Sequence, residues 1–347
     1  MPVFLSLLSA VVTIPQSWAQ TTLGPVTLGA GIQTSFVNTK PTSGKTTDQF
    51  TVDHARLYIS GPVTDKITLT FNTDYDSSQN KLGIMDAIGQ FAFSPHFNIW
   101  AGRFLPPGDR SNLYGPFYSN NWRVYTDGIQ DGYPMVFQGR ADGVAYWGEF
   151  AHKVHLSAGA FDGASASKSA DVIGAGRIQV DFWDPEDGYY QNGTYYGDKN
   201  VLAIGVASQV QNGHTASTID FLLEKKVLNG GAFTIESELS DYNRLGGYGG
   251  FNGSYAKSKG FYVLSSLLFP KVVGIGKFQL LGKYARADFR HGTDLSYAQK
   301  TTEVDFNYII KQFKARVMSF YEDTRFNRQL PGNPNFWQLG LGLQLQM

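Results

Sequence analysis

From Trp337 to Met347 the chain alternates without a break. Trp337, Leu339, Leu341, Leu343, Leu345 and Met347 fall on one side of an extended backbone. Gln338, Gly340, Gly342, Gln344 and Gln346 fall on the other. Strict period two is the signature of a strand. The length of the run constrains the fold further. Strands in soluble proteins run to about five or six residues, whereas a tilted strand crossing a bilayer needs about nine to eleven.

The pattern returns upstream. Ile67, Leu69, Phe71, Thr73 and Tyr75 alternate with Thr68, Thr70, Asn72, Asp74 and Asp76. Phe233, Ile235 and Leu239 alternate with Thr234, Glu236, Glu238 and Ser240, and Val304, Phe306 and Tyr308 with Glu303, Asp305 and Asn307. Carboxylates in mid-strand cannot face a dry core without partners, so one face of each strand is wet. A wet face opposite an apolar face over this length describes a membrane barrel, with lipid outside and a lumen inside.

Strands are predicted near 25–37, 49–60, 66–76, 82–93, 97–105, 136–150, 153–162, 172–183, 199–211, 214–226, 231–243, 255–269, 276–289, 297–309, 313–323 and 335–347. They number sixteen, an even count as a closed single-chain barrel requires. The fold class expected is therefore all-β, a transmembrane antiparallel barrel of about 16 strands. Connections alternate between short turns at one end and longer loops at the other. Two fit that alternation poorly: the long turn at 184–198 and the short Asn212-Gly213 connection. Aromatics near strand ends (Trp147 and Phe150, Tyr189 and Tyr190, Tyr195 and Tyr196, Phe336 and Trp337) suggest interfacial girdles.

Residues 1–19 read as an export signal, with an apolar run from Val3 to Ile14 and small residues around Ser17-Trp18-Ala19. No basic residue precedes the run, so the true start is expected upstream of Met1. The barrel domain is then 20–347. The 347 residues carry 29 cationic and 29 acidic side chains, which leaves no basic footprint for nucleic acid. Cysteine is absent, which excludes disulfides, thiolate metal sites and cysteine nucleophiles.

One connection stands apart. Between "IWAGRF" and "FQGRADGVAYWGEF" the chain wanders for some thirty residues, about 106–135, through Pro106-Pro107 and a crowd of aromatics. Its charges, flanks included, are Arg103, Arg110, Arg123 and Arg140 against Asp109, Asp127, Asp131 and Asp142. A loop this long is usually functional or disordered, and its aromatic content argues against disorder. It is expected to fold into the barrel as a constriction.

Four segments, "DHARLYISGPVTDKITLTFNTDYD" (53–76), "FNIWAGRFLPPGDRS" (97–111), "FQGRADGVAYWGEF" (137–150) and "TIDFLLEKK" (218–226), carry a resemblance to the phosphate-selective porin O and P family of Gram-negative outer membranes. The resemblance implies a sixteen-stranded barrel with an infolded constriction loop, commonly a homotrimer. It further implies a water-filled channel for passive diffusion of small hydrophilic solutes, with anions such as phosphate the expected solutes. In this chain arginines and aspartates of the loop balance one for one, which describes a transverse field better than a phosphate ladder.

A diffusion pore needs a wet lumen, a narrow point and charges that bias ions. Strand parity nominates Arg56, beside His54 and Tyr58, and Arg103, opposite Gly102 and Phe104, as inward-pointing. Arg140, Asp142, Arg110, Arg123, Asp109, Asp127 and Asp131 join them from the loop region, and Lys283, Lys314 and Arg316 from the opposite wall, with Glu236, Glu238, Glu303 and Asp305 as acidic counterparts. Charges on a wet wall also pair with one another simply to brace it. The six histidines have no ligand-like or triad-like spacing, so no catalytic residue, metal or cofactor is expected. The partners expected are outer-membrane lipid, small inorganic or organic ions, and further copies of the chain. The alternatives are a sheath barrel enclosing a partner, such as an electron conduit, and a barrel enzyme.

Overall fold

The computed structural model describes residues 26–77, 80–129, 139–163, 171–227, 230–246, 255–291, 295–328 and 334–347. The expected leader and Asp131 lie outside these residues. Sixteen strands form: β1 (Thr27–Pro41), β2 (Thr47–Pro62), β3 (Ile67–Asp76), β4 (Lys81–Ser94), β5 (Phe97–Phe104), β6 (Ala141–Phe150), β7 (Val154–Phe161) and β8 (Ile173–Asp181). Then follow β9 (Val201–Gln211), β10 (His214–Val227), β11 (Gly231–Asn243), β12 (Tyr255–Val273), β13 (Gly276–His291), β14 (Leu295–Lys311), β15 (Ala315–Phe326) and β16 (Phe336–Gln346). Each pairs with its sequence neighbour, and β1 pairs with β16 to close the barrel. Every pair is antiparallel, and the closing register runs from Gly31 opposite Gln346 to Pro41 opposite Phe336. The predicted strand count and order hold.

The alternation read from the sequence is the alternation of the wall. In β16, Leu339, Leu341, Leu343 and Leu345 face out and are exposed, while Gly340, Gly342 and Gln344 face in and are buried. Exposed leucines, valines and phenylalanines recur around the whole circumference, among them Leu28, Leu69, Leu239, Val304 and Phe306. An apolar band of that extent is far beyond what a water-facing surface tolerates. It is the lipid-facing belt of an outer-membrane barrel. Aromatic pairs sit on the belt near both of its margins. Phe97 packs on Phe93 and on Tyr146, each at 5.6 Å, near the turn end, and Tyr321 packs on Trp337 at 6.1 Å toward the loop end.

Turn chemistry explains the short connections. Asn212 (φ 50°) and Gly213 (φ 76°) both take positive φ, as a two-residue turn matched to strand twist demands. Ala151 and His152 make the corresponding turn between β6 and β7, also at positive φ.

Two of the predicted girdle clusters are elsewhere. Tyr189, Tyr190, Tyr195 and Tyr196 belong to the connection between β8 and β9, which folds into the lumen. Tyr189 and Tyr196 are buried there. Trp147 also faces inward, 5.9 Å from Trp100 and 6.3 Å from Tyr189.

Candidate functional site in the barrel lumen

Two segments occupy the lumen. The first is the long connection from β5 to β6, which leaves Phe104 and returns at Ala141. It contains one short helix, α1 (Arg110–Tyr114), capped by Asp109, whose carboxylate accepts from the Asn112 amide at 2.8 Å. Every residue of α1 is buried. Burial pushes the Asp109 carboxyl up, and the bonds it accepts from Ser111 and Asn112 partly offset that. The segment then crosses to the far wall. Tyr114 donates to Glu236 on β11 at 2.8 Å, the Asn121 amide to Glu303 on β14 at 2.9 Å, and Arg123 to Gln338 on β16 at 2.8 Å. Asp127 meets Lys283 on β13 at 2.8 Å.

The second segment is the β8–β9 connection. It enters from the turn end and meets the first in mid-barrel. Arg110 donates to Glu186 at 2.8 Å and to the Asn192 carbonyl at 3.0 Å. Burial disfavours the Arg110 charge, but the Glu186 carboxylate more than compensates, holding the guanidinium firmly protonated. The Tyr195 hydroxyl donates to Glu186 at 2.7 Å, the Gly193 amide to the Tyr118 carbonyl at 2.9 Å, and Tyr189 to the Leu105 carbonyl at 2.8 Å. Arg177 on β8 ties both to the wall, donating to the Gly108 carbonyl at 3.1 Å and to Asp220 on β10 at 2.8 Å.

Arg316 on β15 is the fastener on the other side. Its guanidinium reaches the Ser119 carbonyl at 2.6 Å, the Tyr196 hydroxyl at 3.1 Å and Gln344 at 2.8 Å. Nearby the loop aromatics lie flat on bare backbone. A Cβ at Gly342 would sit 2.5 Å from the Trp122 ring, and one at Gly31 would sit 2.8 Å from Phe117. Close approach is what requires glycine at these two sites.

The inner faces of β2, β3 and β4 are covered less. Tyr58, Ser60, Thr70, Asn72 and Gln90 are only half-buried. They form a polar ladder: Ser60 with Thr70 at 3.2 Å, Thr70 with Gln90 at 3.2 Å, Asn72 with Asp86 at 2.8 Å. Above it two arginines converge. Arg56 bonds Asp74 at 2.8 Å, with His54 on the same carboxylate at 2.9 Å, and Arg140 bonds Asp86 at 3.2 Å. Arg56 also stacks 4.5 Å from the Phe117 ring of the loop. The lumen wall is thus least covered along this strip, and Arg56 and Arg140 stand beside it.

Of the twelve residues nominated from the sequence, the eleven among the described residues are therefore dispersed. Arg56 and Arg140 share the strip. Asp109 and Arg110 are fully buried where the two segments lock. Arg123, Asp127, Lys283 and Arg316 hold the loop to the far wall. Lys314 is exposed in the turn before β15. Arg103 and Asp142 correct the parity reading: they pair at 2.7 Å on the outer surface, sharing a face with Ile99 and Val144. Their neighbours Trp100 and Phe104 turn inward because the β8–β9 segment offers Tyr189 to pack on, 4.6 and 6.0 Å from them. Sequence reading missed Arg177, Asp220, Glu186 and also Glu322 on β15, whose carboxylate lies 3.8 Å from Arg123. The signal for Glu186 was present in the excess length of the 184–198 turn.

No family model matches the chain, and no curated protein matches it. Solved structures do. OprB from Pseudomonas putida aligns with TM-score 0.64 at 8% identity, over 93% of this chain and 94% of that chain. The anion-selective porin from Comamonas acidovorans aligns with TM-score 0.58 at 12% identity, over 93% and 99%. This chain has the porin fold. OmpF of Salmonella typhi, in a complex with daunomycin, aligns comparably, with TM-score 0.59 at 12% identity over 93% and 97%. At these identities the likeness speaks for architecture, and leaves the resemblance to the phosphate-selective branch as an expectation.

Proposed function

We propose that the protein is a passive outer-membrane channel for small hydrophilic solutes, with a preference for anions set by Arg56 and Arg140. The observation that carries this reading is the half-buried polar strip on β2–β4 with the Arg56 and Arg140 guanidinium groups beside it. A narrow point with fixed charge on one wall biases which ions pass. Asp74 and Asp86 temper the field, so the preference is for anions broadly, phosphate among them, with no dedicated phosphate ladder. The Comamonas acidovorans neighbour, itself described as anion-selective, supports the same direction. The sheath reading requires a lumen free for a partner, and here the chain's own two segments fill it.

Planar-bilayer recording tests the reading. Folded protein should give stepwise channels, and the reversal potential in a KCl gradient should have the sign of anion preference. A folded barrel that never conducts overturns the channel. Cation preference overturns the role given to the two arginines.

A further inference from the structure

The outer wall carries one feature that lipid contact does not explain. Arg286, Lys300 and Arg325 stand directly opposite one another on β13, β14 and β15. All three point away from the lumen, since the residues flanking them, Ala285 and Ala287, Thr301, and Thr324, are buried inside. Like charges facing each other across strands destabilise a sheet. Asp288 and Asp323 bond Arg286 and Arg325 at 2.9 and 2.8 Å along the same strands. Lys300, between them, forms no ion pair among the described residues.

Toward the strand ends the same face adds Lys257, Lys259 and Arg290, with Asp241 3.9 Å from Lys257. The face thus presents six cations and three carboxylates. On the other side of the row the wall becomes the apolar belt at Val263, Val304 and Leu339. Two shallow depressions share Lys259, Asp241 and Asp288. One, of about 470 Å³, reaches Lys257 and Arg290. The other, of about 520 Å³, has an apolar floor of Val206, Ile219, Leu239 and Phe261. The row itself borders neither depression; what lies beside it along the strands is the apolar belt, and cations next to an apolar surface on the lipid side match an anionic headgroup attached to acyl chains. Adjacent strands lie about 4.8 Å apart, so the row of three spans roughly 10 Å, more than a single phosphate occupies.

We propose that this patch binds a lipid of the outward-facing leaflet whose headgroup carries more than one phosphate, with its acyl chains on the apolar belt at Val263, Val304 and Leu339. The assignment rests on the long-loop end facing outward, as in barrels of this type, and not on the channel's selectivity.

The test uses the folded barrel in neutral detergent, titrated with diphosphoryl lipid A and with its dephosphorylated form, and read by native mass spectrometry. The phosphorylated form should be retained and the dephosphorylated form should not. Replacing the row (R286Q, K300Q and R325Q together) should weaken retention on the order of a hundredfold, since each cation near a membrane surface contributes about a kilocalorie. D288N with D323N removes the competing carboxylates and should tighten retention several-fold, which decides the matter if the triple variant does not fold. Equal retention of the dephosphorylated lipid overturns the proposal. So does equal binding of inorganic pyrophosphate, which would make this a free-phosphate site. Dissociation of an oligomer by the triple variant overturns it as well, because the patch would then be a contact between copies. Conductance measured on the same preparations separates this outcome from failure of the channel.

Discussion

Among single residues, Arg56 and Arg140 are the pair whose removal should be felt in permeation. Arg56→Gln with Arg140→Gln should move the reversal potential in a KCl gradient toward the cation side. Arg103→Gln, on the outer surface, should leave it at the wild-type value. A shift in Arg103→Gln, or none in the double variant, would reverse the assignment. Arg316 answers to a different measurement. Its guanidinium is buried and bonded to the Ser119 carbonyl, Tyr196 and Gln344. Leaving buried acceptors without their donor costs about 1–3 kcal/mol each, so Arg316→Met should lower the denaturant midpoint clearly and make single-channel current noisier as residues 116–119 lose their hold. A quiet, wild-type trace would show that other contacts fix the loop. Arg56 was legible in the sequence because polar His54 and Tyr58 share its face. Arg103 was not, because period two gives two faces without saying which is wet. Where the chain fills its own lumen, an inward Phe104 is as well satisfied as one in lipid, and parity loses its sign.

At the scale of elements, the strands were legible and the connections only half so. Sixteen runs of period two gave count, order and approximate ends, since one face meets lipid over most of the length. The infolding of the β5–β6 loop was readable from its length and aromatic content. That the β8–β9 connection enters as well was not, because "DPEDGYYQNGTYYGD" has no period and its partners lie up to 120 residues away. Glu186 is the clasp between the two segments, accepting from Arg110 and from Tyr195. Glu186→Gln should destabilise the folded barrel by about 3 kcal/mol, by leaving the Arg110 charge without its counterion. Arg110→Met with Glu186→Leu should recover most of that loss, because an apolar pair of similar volume often replaces a buried ion pair at little cost. Denaturant titration of the three proteins checks both statements. No recovery in the double variant would mean that the remaining bonds, to Asn192 and Tyr195, hold the clasp.

For the whole molecule, the porin resemblance predicts a homotrimer. Three equal conductance steps per insertion event, with a crosslinked species of three chains, are the expected result, and solitary steps with monomeric mass would refute it. The barrel's seam has a further consequence. Phe117 and Trp122 rest against Gly31 of the first strand and Gly342 of the last, and Gln344, also on the last, donates to the Phe117 carbonyl at 3.0 Å. The seat of Phe117 and Trp122 comes into being only when the two ends of the chain meet, so this part of the waist belongs to the closed ring and to no open precursor of it.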